Sequence, residues 1–285
     1  MSSNPPDAFH SYRPATGHGL KHDPFNAIVG PRPIGWISSV DAMGRANLAP
    51  YSFFNAFNYQ PPIIGFSSIG WKDTVANIHA TGEFVWNLAT LPLAGSMNLS
   101  SAAVPPDVSE FDLASLARLP STQVRPPRVA DSPVHFECRL TQMLQLRTAG
   151  GEDVESWMVF GEVVAVHIRR TLLAEGRYDT AGAQPILRAG GPGDYAAIRR
   201  DAMFDMGRPT AETWQAPRSR QPRTGPAAIS DKPAHRRSGP PAPSCNRNRG
   251  RRGTTPAPPR LRASAPGQGR CHRHICGRSP LSPPP

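Results

Sequence analysis

The sequence predicts a mainly β protein with short helices, followed by a disordered C-terminal tail. Segments rich in β-branched and aromatic residues recur between residues 34 and 188, and the two longest cover 134–146 and 157–168, as expected for strands. After about residue 211 Pro and Arg dominate, and such a composition cannot bury enough apolar surface to fold. We therefore expect an N-terminal extension over 1–19, one domain over 20–211 and a Pro/Arg-rich tail over 212–285.

Residues 34–48 predict a β-hairpin. Apolar and small residues alternate over 34–39, and 41–44 supply a turn whose glycine can take a positive φ before 45–48 return as a second strand. Pro50 has no N–H to donate, so we expect regular pairing to end just before it. The residues that follow then predict a polar and aromatic loop.

The remaining elements follow in chain order. A third strand is predicted over 63–67, and a helix over 74–80 with Asp73 as its cap. Gly161 inside a strand predicts a bulge or a close approach of two backbones. The other predicted elements are a strand over 84–89, a short helix over 110–118, the two long strands already named, and a closing strand over 185–188.

Formal charge is distributed unevenly along the chain. Residues 1–216 carry 17 Lys and Arg against 20 Asp and Glu, whereas residues 217–285 carry 15 basic residues against the single acid Asp231. The net charges are therefore −3 and +14, and the basicity belongs to the tail alone. Three interpretations of the tail stand: a frameshift product of GC-rich coding sequence, a neutral disordered tail, or a basic arm for a polyanion. Nucleic acid is not a predicted partner of the domain.

Cysteine usage is typical of an intracellular protein. The domain contains only Cys138, which we expect to be a buried thiol in a strand. The tail segment 271–276 holds four zinc donors, but their adjacent spacing does not favour a tetrahedral site, so no metal is predicted. No secretory leader opens the chain and no apolar run reaches about 18 residues, so we expect a cytoplasmic protein without a membrane span.

The stretch Pro31 to Thr74, PRPIGWISSVDAMGRANLAPYSFFNAFNYQPPIIGFSS followed by IGWKDT, resembles the flavin reductase-like family. The resemblance extends over about Leu20 to Pro209. It implies an FMN-binding, Greek-key split β-barrel that forms a homodimer, with NADH or NADPH as co-substrate. A flavin-dependent oxygenase that receives reduced flavin is the partner that the resemblance suggests.

The turn before the predicted helix 74–80 is the candidate phosphate site. A cation, a hydroxyl and free N–H groups at a helix start are what a phosphate needs. The alternative is an ordinary capped helix with an exposed lysine. The resemblance favours the phosphate site and assigns to it Ser67, Ser68, Lys72, Asp73 and Thr74.

The segment 47–55 is the candidate site for the isoalloxazine ring, which needs an apolar surface and fixed polar groups along one edge. The alternative is that its aromatic residues belong to the core and its polar residues solvate a loop. The resemblance favours ring binding and assigns to it Asn47, Leu48, Ala49, Pro50, Ser52, Phe53, Phe54 and Asn55.

Three residues within or just before the predicted hairpin complete the candidate cofactor site. For Arg32 the alternatives are a contact with a phosphate and an exposed position on an edge strand. For Trp36 they are stacking near the ring and a place in the core. Ser38 lies on the same strand as Trp36.

No catalytic residue is predicted. The segment 65–69 lacks the second glycine of a hydrolase nucleophile elbow, and no dinucleotide or phosphate-loop motif occurs. Hydride transfer between stacked rings needs positioning more than a proton-transferring side chain, so the absence agrees with an NAD(P)H:flavin oxidoreductase. Some family members place a histidine before the Gly-Glu-Val segment, where this chain has 155–157 (Glu-Ser-Trp). The alternative is therefore a flavin-binding electron carrier without its own nicotinamide activity.

Overall fold

The computed structural model describes residues 9–105, 107–208 and the backbone of 227–228. The helices are α1 (Phe25–Ile28), α2 (Asp73–Thr81), α3 (Ala94–Leu99) and α4 (Glu110–Leu113). The strands are β1 (Arg32–Pro33), β2 (Gly35–Val40), β3 (Ala46–Tyr51), β4 (Phe54–Tyr59), β5 (Pro62–Ile69), β6 (Glu83–Asn87), β7 (Arg118–Leu119), β8 (Arg128–Val129), β9 (Val134–Arg147), β10 (Asp153–Ile168), β11 (Leu173–Ala174), β12 (Arg177–Tyr178), β13 (Ile186–Arg188), β14 (Tyr195–Ala197), β15 (Phe204–Asp205) and β16 (Ala227–Ala228).

A seven-stranded antiparallel sheet organises the domain, with strand order β3-β2-β6-β9-β10-β5-β4. A second sheet has three strands in the order β1-β13-β14. β3 and β4 are therefore the two edges of the large sheet. Pairs formed by β7 with β8 and by β11 with β12 complete the smaller ladders.

Two apolar cores lie on either side of β2, because its alternating side chains point to opposite faces. Ile37 joins a cluster with Val75 and Ile78 of α2, and Phe66 and Phe84 belong to the same cluster. The second cluster contains the fully buried residues Trp36, Leu48, Met97 and Phe111. This double burial explains why every residue of β2 is buried.

The prediction that pairing ends before Pro50 is wrong, because β3 continues to Tyr51 and pairs Pro50 with Trp36. The Leu48 N–H points away from β2 and donates to Glu110 Oε2 at 2.9 Å. Residues two apart in a strand share their orientation, so the nitrogen of Pro50 also points outward. A proline on the outer side of an edge strand removes no ladder hydrogen bond.

The predicted loop after Pro50 also contains a strand that the sequence did not indicate. β4 follows β3 almost directly and pairs with β5 from Phe54 opposite Phe66 to Tyr59 opposite Pro62. A register shift in this ladder and the polar residues at 55 and 58 hide the alternation. The prediction for Gly161 is confirmed, because the ladder shifts register there and an added Cβ would overlap the ring of Phe84.

Helix α2 begins one residue earlier than predicted. Asp73 is its first helical residue, whereas Lys72 is the N-cap and has extended backbone with φ −89° and ψ 168°. No side chain caps this helix start, so the prediction that Asp73 caps it is wrong. α4 is also shorter than predicted, since it ends at Leu113 instead of 118.

The predicted tail lies outside the described residues, apart from β16, whose backbone pairs with β15. The tail segment 271–276 with its zinc donors lies outside them as well. Within the described part of the chain, none of the helices has the length and apolar character needed to cross a bilayer.

Candidate functional site

Two neighbouring cavities adjoin the edge strand β3 and share Pro50 and Ser101. We name them by their cations. The Lys72 pocket, with a volume of about 550 Å³, is lined by Asn47, Ala49, Pro50, Tyr51, Lys72, Asp73, Thr74, Ser100, Ser101, Ala102, Ala103, Val104 and Glu110. The Arg188 pocket, about 630 Å³, is lined by Ile34, Pro50, Ser52, Leu91, Ala94, Met97, Asn98, Ser101, Ile186, Arg188, Pro192, Gly193 and Tyr195.

The structure therefore brings together the two halves of the predicted cofactor site. Residues from the predicted ring segment and from the predicted phosphate turn share one cavity, although they are separated in sequence by about 20 residues or more. The predicted residues that line the Lys72 pocket are Asn47, Ala49, Pro50, Lys72, Asp73 and Thr74. Those that line the Arg188 pocket are Pro50 and Ser52.

The start of α2 gives the Lys72 pocket its capacity to hold an anion. The first-turn N–H groups of a helix have no intrahelical partner, and the helix dipole places partial positive charge there. Lys72 adds a full positive charge, and Thr74 adds a hydroxyl. Asp73 and Glu110 bring negative charge to the same cavity, so the positive charge of Lys72 is not in excess.

A hydrogen-bonded chain of three side chains crosses the floor of this pocket. The side-chain amide of Asn47 has its oxygen 2.8 Å from Thr74 Oγ1 and its nitrogen 3.3 Å from Glu110 Oε1. Glu110 also accepts the Leu48 N–H on its other oxygen. Burial raises the pKa of the Glu110 carboxyl above its ordinary value, and the bond from Leu48 only partly opposes this.

Tyr51 forms the inner wall of the pocket. Its ring lies 4.5 Å from that of Phe66, and its hydroxyl is buried without a hydrogen-bond partner among the described residues. Burial raises the pKa of this phenol, despite the nearby hydroxyls of Thr74 and Ser68. A buried polar atom without a partner is uncommon in a folded protein, and here it belongs to a residue that lines the cavity.

Three predicted cofactor residues are buried in the protein instead of lining either cavity. Trp36, Ser38 and Leu48 are each 0% exposed. Trp36 Nε1 donates to Ser100 Oγ at 3.0 Å, and Ser38 Oγ donates to the Pro127 carbonyl at 2.5 Å. Trp36 therefore supports the pocket indirectly, since Ser100 is one of the lining residues.

The aromatic end of the predicted ring segment also packs inward. Phe54 stacks on Trp86 with ring centroids 5.6 Å apart, and Phe53 lies beneath the guanidinium of Arg32 at 5.4 Å. Arg32 Nε donates to the Ser52 carbonyl at 3.0 Å. Asn55 is exposed and accepts the N–H of the residue that follows it. Of the predicted residues in this group, only Ser52 lines a pocket, whereas Arg32, Phe53, Phe54 and Asn55 do not.

The two predicted serines support the turn that carries Lys72. Ser68 is fully buried, and its Oγ donates to the Gly70 carbonyl at 2.9 Å. The Ser67 N–H donates to the Phe53 carbonyl at 2.9 Å, which ties β5 to the end of the ring segment. Neither serine is a lining residue of the pocket.

Glu110, Arg188 and Tyr195 line the cavities but were not predicted as site residues. Glu110 follows a serine at a predicted helix start, a pattern that indicates a helix and gives no information about a distant strand. Arg188 and Tyr195 flank the Gly-rich segment 190–193, a turn composition that indicates flexibility of the backbone and not ligand binding. The tertiary structure, and not the local sequence, brings these three residues to the cavities.

Two other titratable residues of the domain, Cys138 and His167, have structural roles. The prediction of a buried thiol is confirmed, because Cys138 is 0% exposed and burial raises its pKa. His167 Nε2 lies 2.6 Å from Glu137 Oε1, in agreement with the prediction that His167 is a structural histidine. Over the residues that the structure describes, no cluster of His, Cys, Asp and Glu has the arrangement of a metal site.

The comparison with known proteins identifies the family. The model of the flavin reductase like domain matches residues 30–182, more than half of the chain. The chain therefore belongs to the flavin reductase like family.

Solved structures agree with the family and with the predicted fold. Nitrilotriacetate monooxygenase component B from Bacillus cereus is 29% identical, with a TM-score of 0.63 over 70% of this chain and 100% of that chain. The 2-nitrobenzoate 2-nitroreductase from Pseudomonas fluorescens is 32% identical, with a TM-score of 0.56 over 66% and 91%. A split-barrel protein from Shewanella frigidimarina is 22% identical, with a TM-score of 0.57 over 64% and 90%. The predicted mainly β split barrel is thus confirmed.

Proposed function

We propose that this protein binds FMN and is an NAD(P)H:flavin oxidoreductase. The observation that carries the proposal is the meeting of β3 with the start of α2 at one cavity, in a chain of the flavin reductase like family. The Lys72 pocket would hold the phosphate, and the ring would extend along β3 towards the Arg188 pocket. The two cavities adjoin at Pro50, so a single elongated ligand can reach both.

The donor set of the cavity fits an FMN phosphate. Lys72 supplies a cation, Thr74 a hydroxyl, and the uncapped start of α2 supplies free N–H groups. The outer edge of β3 offers the carbonyls of Leu48 and Pro50 to the ring, because it lies at the edge of the sheet. The Leu48 N–H on this edge is already bonded to Glu110, and Pro50 has no N–H. The unpartnered hydroxyl of Tyr51 is a further polar atom that a ligand could satisfy.

The bound flavin supplies the redox chemistry, as acceptor of a hydride from a nicotinamide. The residues of the protein would position it: the start of α2 would hold the phosphate, and β3 would hold the ring along one edge. The apolar residues Ile34, Leu91 and Met97 of the adjoining pocket exclude water from the ring. No side chain has to transfer a proton in this scheme, which agrees with the absence of a predicted acid–base pair.

We further propose a homodimer with the cofactor near its interface. β4 is an edge strand, and its Phe57 and Tyr59 are 55% and 86% exposed. An unpaired edge with large apolar side chains is a surface that proteins usually cover. By its similarity to the monooxygenase component B, the protein would pass reduced flavin to a separate oxygenase in the cytoplasm.

Anaerobic mixing of the FMN-loaded protein with NADH, and in parallel with NADPH, tests the reaction. We expect one of them to bleach the oxidised-flavin band over many turnovers when free FMN is present. A chemical reductant serves as the positive control for a competent flavin.

The second candidate function is a flavin-binding electron carrier without nicotinamide activity. It is favoured by the segment 155–157, which holds Glu, Ser and Trp where some family members have a histidine. Bleaching by the chemical reductant but by neither nicotinamide would support the carrier and contradict the oxidoreductase.

A further inference from the structure

A row of three side chains crosses the small sheet beside the Arg188 pocket. Arg32 of β1 lies directly opposite Arg188 of β13, and Arg188 lies directly opposite Tyr195 of β14. Directly opposed residues of antiparallel strands place their side chains on the same face of the sheet. The sheet therefore brings two arginines together, and like charges in this position are destabilising.

The loops held by these two arginines are in contact. Arg32 Nη1 donates to the carbonyls of Asn26, at 2.6 Å, and of Val29. Arg188 Nη2 donates to the carbonyls of Gly191 and Pro192, at 3.1 and 2.7 Å. Each arginine therefore holds one loop beside the small sheet.

That contact is shown by the neighbouring glycine. An added Cβ at Gly190 would lie 2.7 Å from the Cβ of Ala27, so the two loops pack against each other. Each guanidinium group is thus held by the carbonyls of one of two loops that pack against each other.

Neither arginine has a carboxylate at ion-pair distance among the residues that the structure describes. Six other arginines do have one: Arg45, Arg118, Arg125, Arg147, Arg199 and Arg200. The acid nearest in sequence, Asp194, offers its carbonyl to Arg188 while its carboxylate lies beside Gly191. Arg32 is only 9% exposed, and backbone carbonyls of Asn26, Val29 and Ser52 accept its hydrogen bonds in place of a carboxylate.

The pocket beside the row has the chemistry of a site for an amphipathic anion. Arg188 and Tyr195 line it on one side, with the guanidinium 5.0 Å from the centre of the tyrosine ring. Ile34, Leu91 and Met97 provide apolar walls. A ligand with an apolar body and one oxyanion would satisfy both kinds of surface.

We propose that Arg188 binds the oxyanion of the small molecule that meets the flavin, while Arg32, on the same face of the small sheet, adds positive charge without lining the pocket. The oxyanion is a carboxylate or a phosphate, borne either by an acidic acceptor or by a dinucleotide. The assignment rests on the proposed function, because it takes the flavin to lie along β3 between the two pockets. It gives the Lys72 pocket to the cofactor and the Arg188 pocket to its reaction partner.

Calorimetric titration of the full chain, with and without FMN, tests the proposal. The probes are benzoate for a carboxylate, ADP for a dinucleotide phosphate, and benzamide as the neutral counterpart of benzoate. We expect at least one anion to bind more tightly than benzamide, and its affinity to decrease as salt is added. Arg188→Gln should lower the affinity for that anion by about tenfold or more and leave the affinity for benzamide unchanged. Arg188→Lys should retain part of the affinity for the anion.

Arg200→Gln is the matched control, since Arg200 is an exposed arginine already paired with Asp179 at 2.8 Å. It should leave all three probes unchanged. Binding of benzoate alone would identify an acidic acceptor as the source, and binding of ADP alone a dinucleotide.

The proposal is overturned if neither anion binds, if Arg188→Gln and Arg200→Gln have equal effects, or if Arg188→Gln and Arg188→Lys bind the anion as the wild type does. It is also overturned if Arg188→Gln weakens FMN in a separate absorbance titration, because the pocket would then belong to the cofactor. Failure of the wild type to bind FMN, with Arg188-dependent anion binding intact, would contradict the proposed function and not this site.

Discussion

Glu137 and Glu110 are both buried carboxylates, yet their pKa values move in opposite directions. Burial acts to raise both. At Glu137 the N–H groups of Thr122 and Gln123, together with His167, outweigh burial and lower the pKa. At Glu110 the Leu48 N–H does not outweigh burial, and the pKa is raised. The number of donors that the fold supplies decides the outcome.

The difference separates a structural carboxylate from one in a candidate site. Glu137 is 0% exposed, and its oxygens accept hydrogen bonds at 2.6 to 3.1 Å from Thr122 and Gln123 that tie the loop at 122–123 to β9. His167 of β10 is its further partner. Glu110 lines the Lys72 pocket, where the side-chain amide of Asn47 and the Leu48 N–H are its hydrogen-bond partners. A buried acid that is incompletely satisfied and lies beside a cavity is a candidate for a role in ligand binding.

The largest expected effect is on stability. Glu137→Gln turns one acceptor oxygen into an NH₂ group that faces donors, so we expect a loss of about 3 kcal/mol in the free energy of unfolding. Glu110→Gln keeps an oxygen for the Leu48 N–H and should cost about 1 kcal/mol or less. Urea unfolding at pH 7 measures both, with Asp153→Asn as an exposed control. Equal losses for the two glutamates would contradict the comparison.

The pH dependence of stability should have opposite signs for the two residues. The pKa of Glu137 is lower in the folded state than its ordinary value of 4.5. Its ionised carboxylate therefore stabilises the fold in full above pH 4.5, and this stabilisation is lost as the pH falls further. The pKa of Glu110 is higher in the folded state than its ordinary value of 4.5. The folded protein therefore binds a proton more readily than the unfolded chain, and its stability increases as the pH falls through the raised pKa towards 4.5.

Differences between wild type and each variant isolate these contributions. His135, whose pKa burial lowers to about 4, destabilises the fold as the pH falls below 6.5, but it does so equally in every variant. As the pH falls, the difference in the free energy of unfolding between wild type and Glu137→Gln should therefore decrease. Over the same range the stability of the wild type should increase relative to that of Glu110→Gln. Parallel pH profiles of all three proteins would refute the assignment of opposite shifts.

A smaller effect is expected on FMN affinity. Glu110→Gln removes negative charge from the Lys72 pocket, so FMN should bind about threefold more tightly at pH 8, where the wild-type carboxylate is ionised. The gain should diminish as the pH is lowered through the raised pKa of Glu110, because the wild-type carboxylate is then increasingly protonated. Glu83→Gln, at a carboxylate paired with Arg125, is the control. A decrease in FMN affinity would show that Glu110 positions the ligand instead of repelling it.

Much of the fold could be predicted from sequence, because its longer strands carry a local signal. The ladders of β9 and β10 and the approach at Gly161 follow from composition and from one glycine. β4 was missed since its register shift and its exposure on one edge break the alternation. The start of α2 was misplaced by one residue, because Asp73 is a strong cap by propensity whereas Lys72 holds the N-cap backbone.

The candidate site could be predicted only where it is continuous in sequence. The segment around Asn47 and the turn at Lys72 were found, and the structure brings them to one pocket. The sequence leaves Trp36 open between the ring site and the core, and the alternation of β2 points it into the second core. Glu110 and Arg188 were not found, because each approaches the site through tertiary pairing that no local pattern encodes.

The central claim is that the Lys72 pocket binds the phosphate of FMN, and a comparison of FMN with riboflavin tests it most directly. Riboflavin carries the same ring without the phosphate. Fluorescence titration of the wild type should show FMN bound about tenfold or more tightly than riboflavin. Lys72→Met should remove most of that difference and leave the affinity for riboflavin unchanged. Equal affinities in the wild type, or an undiminished preference for FMN in Lys72→Met, would contradict the claim.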